Sequence, residues 1–143
     1  MNLGHNQLTA LPPEIGNLTT LTGLHLGTNQ LATLPPEIGK LANLTSLSVD
    51  RNQLTTLPPE LGELAKLKTL HVMKNQLAAL PAEIGKLTRL TSLQIYSNPI
   101  TDADLQHMKS LVLLRGLDVR FTKVTKEGVE ALKQALPGCR VRR

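Results

Sequence analysis

Four leucines stand 23 residues apart, at Leu21, Leu44, Leu67 and Leu90. Each opens the same phrase: LTGLHLGTNQL, LTSLSVDRNQL, LKTLHVMKNQL and LTSLQIYSNPI. Self-similarity at a fixed period constrains a fold strongly, because each unit must bury its apolar face against its neighbours. A partial copy, MNLGHNQL, stands at the N-terminus, with Met1 where Leu24 falls one unit later, and a variant copy, LRGLDVRFTKV, begins at Leu114. The inner leucines of each phrase alternate with polar residues, which is the pattern of a short strand with one buried face. One strand per 23 residues does not return as a hairpin. Parallel strands joined by crossovers and stacked as a solenoid are expected instead.

Asn6, Asn29, Asn52, Asn75 and Asn98 recur at the same period, and Thr122 takes the next place. An asparagine amide carries donors and an acceptor, so these residues are expected to form a ladder that satisfies turn backbone groups between coils. Thr122 has less reach. Between the strands the phrase LPPEIGxL recurs up to Leu87, with Ala82 in place of the second proline. It predicts an extended, polyproline-like start followed by a short 3₁₀ or α turn ending at Gly16, Gly39, Gly62 and Gly85. After residue 98 the connection changes. Thr101 or Asp102 can cap a helix carrying Leu105, Met108 and Leu111, and Thr125 one carrying Val129, Leu132 and Leu136. Pro137 and Gly138 stop the second helix, and Cys139 takes the place of Leu114 as a small apolar core residue.

The recurring LxxLxLxxNxL pattern resembles the leucine-rich repeat family, over nearly the whole chain. The resemblance implies an α/β leucine-rich repeat solenoid of the bacterial type. A curved parallel β-sheet lines its concave face, with 3₁₀ or extended segments and C-terminal helices on the convex face. Residues 1–143 are expected to form one domain, with short-type repeats over 1–98 and helix-type repeats with a C-terminal cap over 99–143. No polar helix precedes Leu3, Leu8 and Leu11. The chain is therefore expected to be shortened from a longer product or, as the alternative, to self-associate through its uncapped N-terminal coil.

Composition narrows the functions. Only 1% of residues are aromatic, one Tyr and one Phe, which argues against a nucleic-acid platform that stacks bases on rings. A single cysteine leaves no disulfide framework and no cysteine-based zinc site. No apolar run is long enough to span a bilayer, and no secretory signal opens the chain, so a cytoplasmic setting with no membrane partner is expected. The net charge is +5, concentrated toward a basic C-terminal end, Arg140-Val141-Arg142-Arg143. That end is read as a solvated, solubilising tail, with an acidic partner or a phosphate backbone as the sharper alternative.

No catalytic constellation is legible, and no enzyme activity, metal or cofactor is expected. His25 and His71 share a strand position but lie two coils apart, roughly 10 Å at strand spacing, too far to share one metal. The periodic Glu14, Glu37, Glu60 and Glu83 belong to the convex turns, where an acidic side chain near a first turn is favourable. The outward strand positions are the functional candidates. Arg51, His71, Met73, Lys74, Gln94, Tyr96, Arg120 and Phe121 form the candidate concave patch. Tyrosine and arginine are frequent hot-spot residues, and Tyr96 and Arg120 stand on adjacent rungs, within reach of a cation–π contact. The expected function is a non-catalytic protein–protein interaction module. A partner protein would bury against Met73, Tyr96 and Phe121, with Arg51, Lys74 and Arg120 selecting its acidic groups. The alternative is the recognition part of a larger GTPase- or ubiquitin-ligase-linked enzyme. Both Tyr96 and Arg120 are expected to be exposed, so alanine at both should change stability little.

Overall fold

A computed structural model describes all 143 residues. Six three-residue strands form one parallel sheet in chain order: β1 Gly23–His25, β2 Ser46–Ser48, β3 Thr69–His71, β4 Ser92–Gln94, β5 Gly116–Asp118 and β6 Arg140–Arg142. The register places like on like: Leu24, Leu47, Leu70, Leu93, Leu117 and Val141 are successive partners. A single isolated bridge, Asn2 to His25, adds the N-terminal partial unit to the same edge. A solenoid of parallel strands arises directly from an apolar side chain repeated at one point of each coil.

The strands are short because their work is done by stacking. Each inward leucine sits on the leucine of the next coil, and 37 buried apolar residues form one continuous core running from Leu11 to Cys139. The first coil is the most open: Leu3 and Leu8 are half-buried there, whereas Leu24 and Leu31 in the next coil are wholly buried. Cys139 donates its backbone N–H to the Leu136 carbonyl as Leu114 does to Leu111, so it stands where Leu114 does. Burial pushes its thiol pKa up, with Arg115 acting weakly the other way, so it behaves as a small core residue.

On the convex side, Pro12, Pro35, Pro58 and Pro81 hold extended backbone near φ −72 to −63 and ψ 140 to 150. Five-residue 3₁₀ turns come next at Pro13–Asn17, Pro36–Lys40, Pro59–Glu63 and Ala82–Lys86. The last two connections are helical, α1 Asp102–Gln106 and α2 Lys126–Ala135. Thr101 caps α1: its backbone N–H and hydroxyl both donate to Asp104 Oδ2, at 2.9 and 3.1 Å. Asp104 Oδ1 accepts from the Leu80 N–H of the preceding coil at 2.7 Å. One buried carboxylate therefore caps a helix and joins two coils. The Thr125 hydroxyl caps α2 by accepting from Gly128 N–H at 3.0 Å.

The convex glycines play a different part from the one their position suggests. Gly16, Gly39, Gly62 and Gly85 lie inside the 3₁₀ turns rather than after them, and none has a positive φ. They are there because the next coil comes close. A Cβ on Gly39 would stand 2.5 Å from the Glu60 carbonyl oxygen, and one on Gly62 would stand 2.7 Å from that of Glu83. Both neighbours are backbone and cannot swing aside. Gly39→Ala is expected to lower unfolding free energy by about 1–3 kcal/mol, the usual range for overpacking, in urea denaturation. Ala at the open Gly116 should change it by less than about 0.5 kcal/mol, and equal effects at the two sites would contradict close coil contact.

Candidate functional site

Each coil leaves its strand through a backbone that few residues adopt comfortably. His5, Thr28, Arg51, Lys74, Ser97 and Phe121 all have φ between 53 and 58°, in the left-handed region. No glycine supplies this conformation anywhere in the chain. Each such residue directly precedes a ladder position, so the turn is held by the bonds of the next side chain. Its own N–H also bonds forward to the next coil: Arg51 to the Met73 carbonyl at 3.0 Å, Lys74 to Tyr96 at 3.0 Å, and Ser97 to Arg120 at 2.9 Å. The sheet ladder thus continues past the strand ends. It carries the outward residues 73, 96 and 120 and the turn residues 51, 74, 97 and 121 on adjacent rungs.

His71 and Gln94 are direct register partners on β3 and β4, both half-buried. Burial lowers the His71 pKa below its ordinary value. Asp50 opposes this and His25 adds to it. Met73 and Tyr96 are half-buried just beyond the strands, and Arg51 and Lys74 are exposed beside them without an ion-pair partner. Asp50 accepts from the Ser48 hydroxyl. Arg120 lies over the Tyr96 ring, its guanidinium carbon 5.6 Å from the ring centre. Phe121 is 82% exposed. No three His, Cys, Asp or Glu side chains stand together as a metal cluster.

Arg120 differs from its expected role. Its guanidinium grips Asp118 through three contacts, Nε to Oδ1 at 3.0 Å, Nε to Oδ2 at 3.2 Å and Nη2 to Oδ2 at 2.7 Å, and its backbone N–H adds a fourth at 3.1 Å. Asp118 occupies an outward strand position, yet its side chain is only 6% exposed. Burial works to raise the Asp118 pKa. The hydrogen bonds from Arg120 and the charges of Arg120 and Arg142 outweigh it and hold the carboxyl below its ordinary range. Arg120 is therefore the counter-ion of a buried acid, and its replacement by alanine cannot be structurally silent.

Asp118, Arg115, Arg140 and Arg142 line one hollow on the strand face, which exists only once the coils are stacked. Their signal in the sequence is the alternation Arg140-Val141-Arg142, which puts both arginines on the outward side of a terminal strand. It is overshadowed when the segment is taken only as a charged end.

A continuous parallel sheet with one three-residue strand per coil, a buried asparagine ladder and 3₁₀ connections defines a leucine-rich repeat solenoid. The sequence profile of the leucine-rich repeat family matches residues 1–54 and 19–77, more than half of the chain together, and a second leucine-rich repeat profile matches residues 110–133. The chain belongs to the leucine-rich repeat family. Among solved structures, it is similar to an internalin from Listeria monocytogenes at 25% identity and a TM-score of 0.83, over 96% of this chain and 38% of that one. A leucine-rich repeat protein of Leptospira interrogans matches at 29% identity and a TM-score of 0.73, over 100% of this chain and 42% of that one. A TDR receptor matches at 28% and 0.80, over 98% and 25%. The chain thus spans less than half the length of each of these relatives. No curated protein matches it. Leucine-rich repeat proteins are commonly non-catalytic protein-interaction modules. No helix here is long and apolar enough to cross a membrane.

The Asp118–Arg120 pair predicts a pH signature. Because the folded-state pKa of Asp118 is depressed, its stabilisation is present above the unfolded value of about 3.9 and is lost as pH falls through the lower folded value. Arg120→Ala should melt below the parent protein at pH 7, and the two melting curves should converge toward pH 2. A deficit that stays constant across this range would contradict the pairing.

Proposed function

We propose that this protein is a non-catalytic interaction module that holds a partner protein on the C-terminal half of its concave face. The observation that carries this reading is Phe121. A large apolar side chain is exposed there at φ 54°, where a bulky residue is disfavoured by about 1–2 kcal/mol. Five equivalent positions hold His, Thr, Arg, Lys or Ser. Nothing in the packing rewards a phenyl ring at this point, so its return is sought outside the chain.

Its surroundings suit the task. Tyr96 stands on the adjacent coil, stiffened by Arg120 and already half-buried, and Met73 extends the apolar strip one coil further. A rigid surface of this kind loses little conformational entropy when a partner docks. Arg120 is occupied by Asp118, so selection of acidic groups near this strip falls to the unpaired Arg51 and Lys74. The similarity to a TDR receptor and an internalin is consistent with a binding role for such a surface.

The test compares the parent protein with Phe121→Gly in affinity capture from the lysate of the source organism. Glycine removes the ring and relieves the backbone, so stability is expected to be unchanged or higher by up to about 1 kcal/mol. A specific co-purifying protein should be lost. A partner set identical for parent and variant would remove Phe121 from the interface and with it this reading.

A further inference from the structure

The first outward strand position runs Gly23, Ser46, Thr69, Ser92, Gly116, Arg140 along the sheet. At Gly116 no atom lies within 4 Å of the place a Cβ would take, and its φ is not positive. Neither packing nor backbone conformation requires glycine there. What the missing side chain leaves is room. A hollow of about 600 Å³ opens over β4, β5 and β6 at this point. That size suits a small ligand or a few side chains of a larger one, but only two of the lining residues are apolar.

Arginines surround the hollow. Arg140 is the register partner of Gly116, and Arg142 that of Asp118. Arg115 closes the third side, lying across Gly138, where an added Cβ would meet its guanidinium at 2.5 Å. None of the three is in an ion pair, and the one carboxylate lining the hollow, Asp118, is already held by Arg120 at 2.7 Å. Arg115 and Arg140 thus have no carboxylate partner, Arg142 has only the charge of Asp118, an acid Arg120 already holds, and all three line one open polar space. Their planar forks match carboxylate geometry. No aromatic side chain lines the hollow, so it offers no surface for a stacked base.

We propose that the hollow over Gly116, ringed by Arg115, Arg140 and Arg142, is an anion subsite that takes the carboxylates of an acidic peptide segment. This rests on the concave-face reading above and names the chemistry of the partner. Asp or Glu side chains of the partner enter beside Gly116, while its apolar residues meet Tyr96 and Phe121 on the same sheet face. The charge gathered at the C-terminal end is then a recognition element rather than a solvated tail.

The probe is a fluorescein-labelled octapeptide of glutamates, followed by anisotropy at low salt. Arg140→Gln/Arg142→Gln should weaken binding roughly tenfold or more, since charge-assisted bonds are the strong ones. Gly116→Val, which fills the space and leaves the charge unchanged, should weaken it severalfold. Lys109→Gln/Lys126→Gln, an equal charge change elsewhere, should alter it less than about twofold. Thermal melts confirm that each variant is folded, with Gly116→Ala as the milder filling. Equal losses in the lysine and arginine variants, or no effect of filling Gly116, would overturn the subsite. So would tighter binding of a single-stranded oligonucleotide of the same charge.

Failure of the subsite is distinguishable from failure of the wider reading. A captured partner that Phe121→Gly loses but Arg140→Gln/Arg142→Gln retains undamaged leaves the concave face standing and removes the subsite. Peptide binding that depends on the arginines, with a partner set indifferent to Phe121→Gly, supports the anion site and overturns the apolar contact.

Discussion

The coils of this protein are held in register by one side chain used again and again. Asn75 donates from Nδ2 to Val72 of its own coil and to Val49 of the coil before, both at 3.0 Å, while its Oδ1 accepts from the Leu54 N–H at 3.0 Å. Asn29, Asn52 and Asn98 repeat the set. Buried backbone groups must find partners, and in a turn tucked beneath a strand there is no ladder to supply them. The asparagine supplies them for two coils at once. Every buried side-chain nitrogen and oxygen in the chain is satisfied. The aliphatic stack provides the driving force, but aliphatic contact alone tolerates slippage, and the ladder removes that freedom.

Two other features depend on this constraint. The residue before each asparagine is driven into left-handed backbone so that the amide can turn inward, whatever its type. Coils set at strand spacing on one side must also approach closely on the other, and convex glycines make way for the neighbouring carbonyls. Where the ladder ends, its reach ends too. The Thr122 hydroxyl donates to Val119 within its own coil at 2.6 Å and accepts from Val124 N–H at 3.2 Å, with no bond to the coil before. At that rung, the side-chain connection between coils passes to Asp102, which accepts from the Thr125 N–H at 2.8 Å, beside backbone bonds such as Lys123 N–H to the Ile100 carbonyl at 2.9 Å.

What is legible in the sequence is whatever repeats. The period, the inward leucines, the asparagine ladder, the proline-led outer segments and both helix caps can be read because each residue type has one physical use in its context. The convex glycines mislead because sequence shows that a side chain is missing, not what stands in its place. A helix-ending glycine and a glycine facing a neighbour's carbonyl look alike until the coils are stacked. The burial of Asp118 is hidden for a similar reason: strand alternation places it outward, and its flanking by β4 and β6 and its pairing with the folded-back Arg120 appear only in the folded chain. The arginines of β6 lie outside the leucine pattern, so the sequence marks a C-terminal cap there but not which face of the sheet they take.

Asn75→Ala tests most directly whether the asparagines couple neighbouring coils. Leu54 N–H would lose its partner while buried, and an unsatisfied buried donor together with the lost bonds costs about 2–3 kcal/mol. Urea unfolding should show that loss. Native-state hydrogen exchange should show the Leu54 amide, in the coil before, becoming labile while the Leu24 amide keeps its protection. A change below about 0.5 kcal/mol with Leu54 still protected would contradict the coupling and leave aliphatic stacking as the sole source of register.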